Sequence, residues 1–133
     1  MLEYKIEAFS EGNKAKAKAN KTKIYFDIGD KRDVELPNAV EILLTSLSAC
    51  LLKNITKFAK KLRIDYSTVD ISIRGVRKEN PPIVDEISYK IIICTEAEQN
   101  RLDKLHKFII EYGTITNTLS KACNLSGSII KKQ

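Results

Sequence analysis

Polar and apolar residues alternate with period two at the start of the chain. Leu2, Tyr4, Ile6 and Ala8 oppose Glu3, Lys5 and Glu7 over residues 2–9, which predicts a half-buried strand. "SEGN" then turns the chain. Residues 14–28 alternate again, as one long strand or two, with Ile24, Phe26 and Ile28 on the inner face. "GDKRD" marks a second turn, and residues 33–36 predict a short extended piece ending at Pro37.

The period changes after Pro37. From Asn38 to Leu62 there is no Gly or Pro, and the apolar spacing is helical. Asn38 is a natural N-cap, with Glu41 three residues on to complete a capping box. Ile42 to Leu52 is apolar almost all round, and a helix apolar on every side is expected to be buried on every side. Its second half narrows to Leu51, Ile55, Phe58 and Leu62, with Lys53, Lys57, Lys60 and Lys61 facing out. Lysines in the last turns also suit the helix dipole.

Alternation returns at 69–77, with Val69, Ile71 and Ile73 inward, and after the "KENPP" turn at 83–95. The run Ile91-Ile92-Ile93 predicts burial on both faces of that strand. Leu102, Leu105, Phe108 and Ile109 predict an amphipathic helix from Glu96 to Tyr112, broken by Gly113. A short helix at 114–123 and a last strand at 127–132 follow. The order β-β-β-α-β-β-α-α-β reads as α+β, two antiparallel β units each followed by helix, rather than a βαβ sheet. We expect one domain over residues 1–133. The apolar central helix is hard to cover in so small a monomer, so a homodimer is expected.

Composition adds less. The 133 residues are 43% hydrophobic and 30% charged, as in an ordinary globular protein. The opening residues hold no signal-peptide core. The longest apolar run is broken by Thr45, Ser46 and Ser48 and stopped by Lys53, too short to cross a bilayer. A cytoplasmic protein without membrane partners is expected. Net charge is +6, concentrated in "NKAKAKANKTK". Its lysines take one face of a period-two pattern and its alanines the other, which predicts a solvated strand protecting a sheet edge. Without interleaved aromatics for base stacking, nucleic-acid binding is not expected.

Candidate chemistry is sparse. Cys50, Cys94 and Cys123 form no CxxC pair, and an odd count argues against a disulfide framework. With one histidine, His106, on a polar helix face, no metal or other cofactor is expected. Cys50 lies inside the apolar helix. It is either a small buried hydrophobe or a reagent.

"LPNAVEILLTSLSACLLKNI" and "EYGTITNTLSKACNLSGSI", together with the element order, resemble the OsmC/Ohr family of osmotically inducible and organic-hydroperoxide-resistance proteins. Pro37, Glu41, Leu43, Leu44, Ser46, Leu47, Ala49 and Cys50 match the family's cysteine segment loosely. The resemblance covers almost the whole chain. It implies an OsmC-like α+β fold with antiparallel sheets, a buried central helix and an intertwined homodimer. It also implies a thiol peroxidase in which Cys50 attacks a hydroperoxide and becomes a sulfenic acid. In the family a second Cys resolves that acid, an external dithiol reduces the disulfide, and an early Arg held by a Glu activates the thiol.

The chain departs from that machinery residue by residue. Gly113 stands in the place of the resolving Cys and Thr114 in that of the following Pro, while Ile115, Thr116 and Leu119 keep the pattern. No Arg precedes Arg32, so the early strands offer only lysines such as Lys14. Val40, not Glu, stands ten residues before Cys50. Glu41 is nine before, which at about 100° per residue puts it roughly opposite Cys50 and suits a capping role better. Cys123, about 15 Å beyond Gly113 on a continuous helix, is a poor substitute resolver. Three readings stand. Cys50 could work with a small external thiol, the fold could bind a ligand at a dimer-interface pocket near Cys50 and Thr114–Thr116 without turnover, or the early lysines could bind nucleic acid.

Overall fold

The computed structural model describes all 133 residues, Met1 to Gln133. The elements are β1 (Glu7–Glu11), β2 (Lys14–Ala19), β3 (Thr22–Asp27), α1 (Ala39–Lys61), β4 (Tyr66–Lys78), β5 (Ile83–Thr95), α2 (Gln99–Glu111), α3 (Thr114–Ser120) and β6 (Asn124–Lys131). This is the order expected from the pattern. Two compact units divide the chain at Leu43/Leu44.

The first unit, Met1–Leu43, carries an antiparallel sheet in the order β1-β2-β3. Residues 14–28 resolve into two strands. The first strand begins only at Glu7, and Leu2, Tyr4 and Ile6 are exposed rather than half-buried. Pairing explains this, because β1 finds its partners on the six-residue β2 and the register ends at Glu7↔Lys18. Residues 33–36 form no strand.

The lysine-alanine strand keeps its two faces, with Ala15 buried and Lys14 and Lys18 exposed. It is not an edge strand, however: β2 is the centre of its sheet. Register also brings Phe9 and Tyr25 to either side of Lys16. Aromatics absent from the linear stretch are therefore supplied across the sheet.

Carboxylates organise the loop from β3 to α1. Asp27 accepts hydrogen bonds from the Gly29 and Asp33 amides at 3.0 and 2.9 Å. Those bonds, the Asp33 amide foremost, hold its carboxyl below the usual range. Asn38 and Glu41 form the expected capping box. The Glu41 amide donates to Asn38 Oδ1 at 2.9 Å, and the Asn38 amide donates to Glu41 Oε1 at 3.0 Å. Arg32 pairs with the same carboxylate.

The second unit, Leu44–Gln133, holds a sheet in the order β4-β5-β6. β4 and β5 are antiparallel, but β6 joins β5 in parallel. This corrects the expectation of purely antiparallel sheets. A parallel return needs a crossover, which α2 and α3 provide. The central position of β5 explains its isoleucines: Ile87, Tyr89, Ile91 and Ile93 share one buried face. Leu47, Leu51, Ile55 and Phe58 of α1 and Leu102, Leu105 and Ile109 of α2 join that face in one hydrophobic cluster.

The central helix is buried on one stripe only, not all round. Leu52 is 41% exposed in the single chain. At 23 residues with mean hydropathy 1.4, α1 has the length and composition of a membrane-crossing helix, so length does not exclude that role as the sequence reading held. Its buried stripe is already spent on the core of the second unit.

Candidate functional site

α1 carries Cys50 in its middle, three residues after the fully buried Leu47 and one before the fully buried Leu51. The thiol is half-buried, on the flank of the stripe that faces the core. One turn further on, Asn54 lies on the same flank, as i and i+4 must on a helix. Its Nδ2 donates toward Cys50 Sγ at 3.6 Å.

Opposite the sulfur is the junction of α2 and α3. Gly113 is the residue between them, extended at φ −84°, ψ 124°. A Cβ built on Gly113 would lie 3.2 Å from Cys50 Sγ. The position where the family pattern has its second Cys is therefore in contact with Cys50, although the two are far apart in sequence. The space beside it is filled by Thr116, buried to 1% exposure. The single Thr116 hydroxyl proton is shared between the carbonyl oxygens of Ile110 and Gly113, whose distances from Oγ1 are 2.8 and 2.9 Å.

Neither other cysteine reaches this place. Cys123 follows the far end of α3, and its thiol donates to the Leu119 carbonyl at 3.2 Å. Burial first, and then the charge of Asp85, push the Cys123 thiol above its ordinary pKa, which disfavours the nucleophilic thiolate. With α3 seven residues long, the two ends stand about 10 Å apart along its axis. Cys94 lies near the end of β5, directly after the fully buried Ile93, and is itself half-buried.

The expected capping role of Glu41 holds, since its carboxylate serves the Asn38 amide and Arg32. That guanidinium, hydrogen-bonded to Glu41, is the larger reason the carboxyl is held below its ordinary pKa, and the Asn38 amide the second. The Arg32–Glu41 pair belongs to the first unit, and the Cys50–Asn54–Gly113–Thr116 group to the second. Sequence reasoning missed Asn54 and the Arg32 pairing. The i, i+4 spacing of a polar amide after Cys50 could have revealed the former. Arg32 was visible only as a loop residue.

His106, expected on a polar helix face, takes a structural role. Its Nε2 is 2.6 Å from the Tyr89 hydroxyl, with the rings edge to face at 5.7 Å. Burial lowers the His106 pKa and raises that of Tyr89 to about 12. Both groups are thus neutral at pH 7 and share one hydrogen bond. Gly127 makes room for the Tyr89 ring, which any side chain there would overlap.

The element order β-β-β-α-β-β-α-α-β, with the cysteine of its long helix meeting the α2–α3 junction, is that of an α+β chain. The family model for OsmC-like protein matches residues 29–126. The chain belongs to the OsmC family. No curated protein matches it closely enough to count as a relative. Among solved structures it is similar to an OsmC-like protein from Mycoplasma pneumoniae, at 19% identity and TM-score 0.90, covering 99% of each chain. It is also similar to an organic hydroperoxide resistance protein OsmC from Legionella pneumophila, at 15% identity and TM-score 0.77, over 97% of this chain and 98% of that one. The organic hydroperoxide resistance protein OhrB of Bacillus subtilis matches at 14% identity and TM-score 0.66, over 98% of each. At such identities the likeness is one of fold.

Proposed function

We propose that the protein is a Cys50-dependent thiol peroxidase that reduces organic hydroperoxides in the cytoplasm, as a homodimer, and relies on an external thiol for resolution. The observation that carries this reading is the meeting of Cys50 Sγ with the Gly113 position, 3.2 Å from a Cβ built there. That contact supports reading Gly113 as the place of the family's second cysteine, left without its sulfur. Family membership supports it, as do the names of the Legionella and Bacillus structures. The dimer is supported by apolar surface that one chain leaves bare: Ile6 at 63%, Phe9 at 59% and Leu52 at 41% exposure.

In the reaction, the Cys50 thiolate attacks one oxygen of the O–O bond. That bond breaks, its electron pair leaves with the alkoxide, and the alkoxide takes a proton to become the alcohol. Sulfur is oxidised to the sulfenic acid. An external thiol then forms an S–S bond with Cys50, and hydroxide leaves as water with the thiol's proton. A second thiol exchanges onto that mixed disulfide, releasing Cys50 and an external disulfide. Asn54 Nδ2 donates toward the sulfur and helps hold it in place.

Limiting cumene hydroperoxide followed by dimedone, read by mass spectrometry of the intact and digested protein, tests this. An adduct on Cys50, lost in Cys50→Ser, is the expected result. Adducts on Cys94 or Cys123 instead, or none, would sink the peroxidase reading. The non-catalytic ligand-binding module would then stand in its place.

A further inference from the structure

The last turns of α1 meet the end of α2 at a cleft of about 410 Å³, lined by Lys57, Phe58, Lys61, Leu62, Phe108 and Tyr112. Three of these residues stack their rings. Phe58 lies 5.5 Å from Phe108 at 10° between planes, and 5.5 Å from Tyr112 at 29°. The stack runs from core to solvent, since Phe58 is 6% exposed and Tyr112 56%. Lys57 Nζ and Lys61 Nζ stand 5.3 and 5.5 Å from the centre of the Phe58 ring, within cation–π range.

The helix dipole accounts for cations at the end of α1. It does not account for a large ring left half-bare beside them, nor for a lining with two ammonium groups and no carboxylate. An aromatic floor with paired cations at its rim is complementary to a flat molecule with one negative end. The volume lies within the range of small-molecule sites.

We propose that this cleft binds an aryl carboxylate. Its ring lies against the Phe58–Phe108–Tyr112 stack, and its carboxylate sits between Lys57 and Lys61. The site is separate from the sulfur chemistry and does not depend on it, although both use one helix. Lys57 and Lys61 follow Cys50 by seven and eleven residues, which on a regular helix leaves all three within about 20° of one line.

Calorimetric titration of the full chain with 2-naphthoate, and with 2-naphthamide as the uncharged analogue, tests the site. Naphthoate is expected to bind on the order of tenfold more tightly than the amide, because its contact is charge-assisted. Raising the salt should erode that preference. The double variant Lys57→Gln/Lys61→Gln should abolish it, and Lys57→Arg/Lys61→Arg should keep it. Tyr112→Ala should weaken both ligands, and Cys50→Ser neither. Equal binding of the two ligands, binding of neither, or a preference that survives the glutamine variant overturns the proposal. So does a change of oligomeric state by light scattering in the glutamine or Tyr112→Ala variants, which would make this surface an interface between copies of the chain.

Discussion

A side chain at Gly113 would overlap the Thr116 hydroxyl and approach the Ile109 carbonyl oxygen to 2.8 Å. Thr116 cannot yield freely, because its hydroxyl holds two backbone carbonyls in a buried place. Glycine at 113 and threonine at 116 are therefore coupled. Gly113→Cys alone is expected to cost ~1–3 kcal/mol, the usual range for overpacking. Adding Thr116→Ala should return part of that loss, measured by urea unfolding. In the double variant, mild oxidation should link position 113 to Cys50, seen as a loss of two hydrogens and of one free thiol pair. A double variant no more stable than Gly113→Cys would remove the coupling. The sequence showed that a second Cys was missing here. That Thr116 occupies the space it would need was beyond the sequence, because the overlap depends on how α3 leaves the junction.

At the scale of elements, α1 was the most legible part of the chain. Its start was written in Asn38 and Glu41, local groups three residues apart, and local chemistry is what a sequence records directly. Asn38→Ala is expected to cost about 1 kcal/mol in urea unfolding. The pH dependence follows from the direction of the Glu41 shift. Its carboxyl is held below the ordinary 4.5 in the folded chain, so the folded state prefers it ionised. The stabilisation is complete above about pH 4.5 and is lost as pH falls through the lowered folded value. In Glu41→Gln the stability should fall less steeply across that acid window, checked by urea midpoints at several pH values. An unchanged acid slope would remove Glu41 from the cause. The strands were legible in existence but not in neighbour. β2 sits at the centre of its sheet because β1 and β3 flank it, and β6 runs parallel because two helices intervene. Alternation within a strand specifies its faces, not its partners or its direction.

At the scale of the whole molecule, the apolar helix was expected to be covered all round, and one chain covers one stripe of it. In the proposed homodimer a second copy of the chain would cover the remainder. Light scattering should report twice the 15.1 kDa chain mass. Leu52→Glu, at a residue 41% exposed in the single chain, should shift the population toward monomer and lower the apparent stability. A wild-type monomer at micromolar concentration would overturn this.

The sequence by itself determined the succession of strand and helix along the chain, though not that residues 14–28 are two strands and 33–36 none, together with the capped start of α1 and the placement of Cys50 on an apolar helix. Each of these follows from spacing along the chain, where the period of side-chain burial matches 2.0 or 3.6 residues. Only the tertiary structure decided that Cys50 faces Gly113, that Thr116 fills the adjoining space, that Arg32 joins Glu41, and that Tyr89 and His106 meet. Those contacts join residues on different elements or across loops. Their distances are set by how strands and helices pack, and no local pattern of hydrophobic and polar residues encodes them.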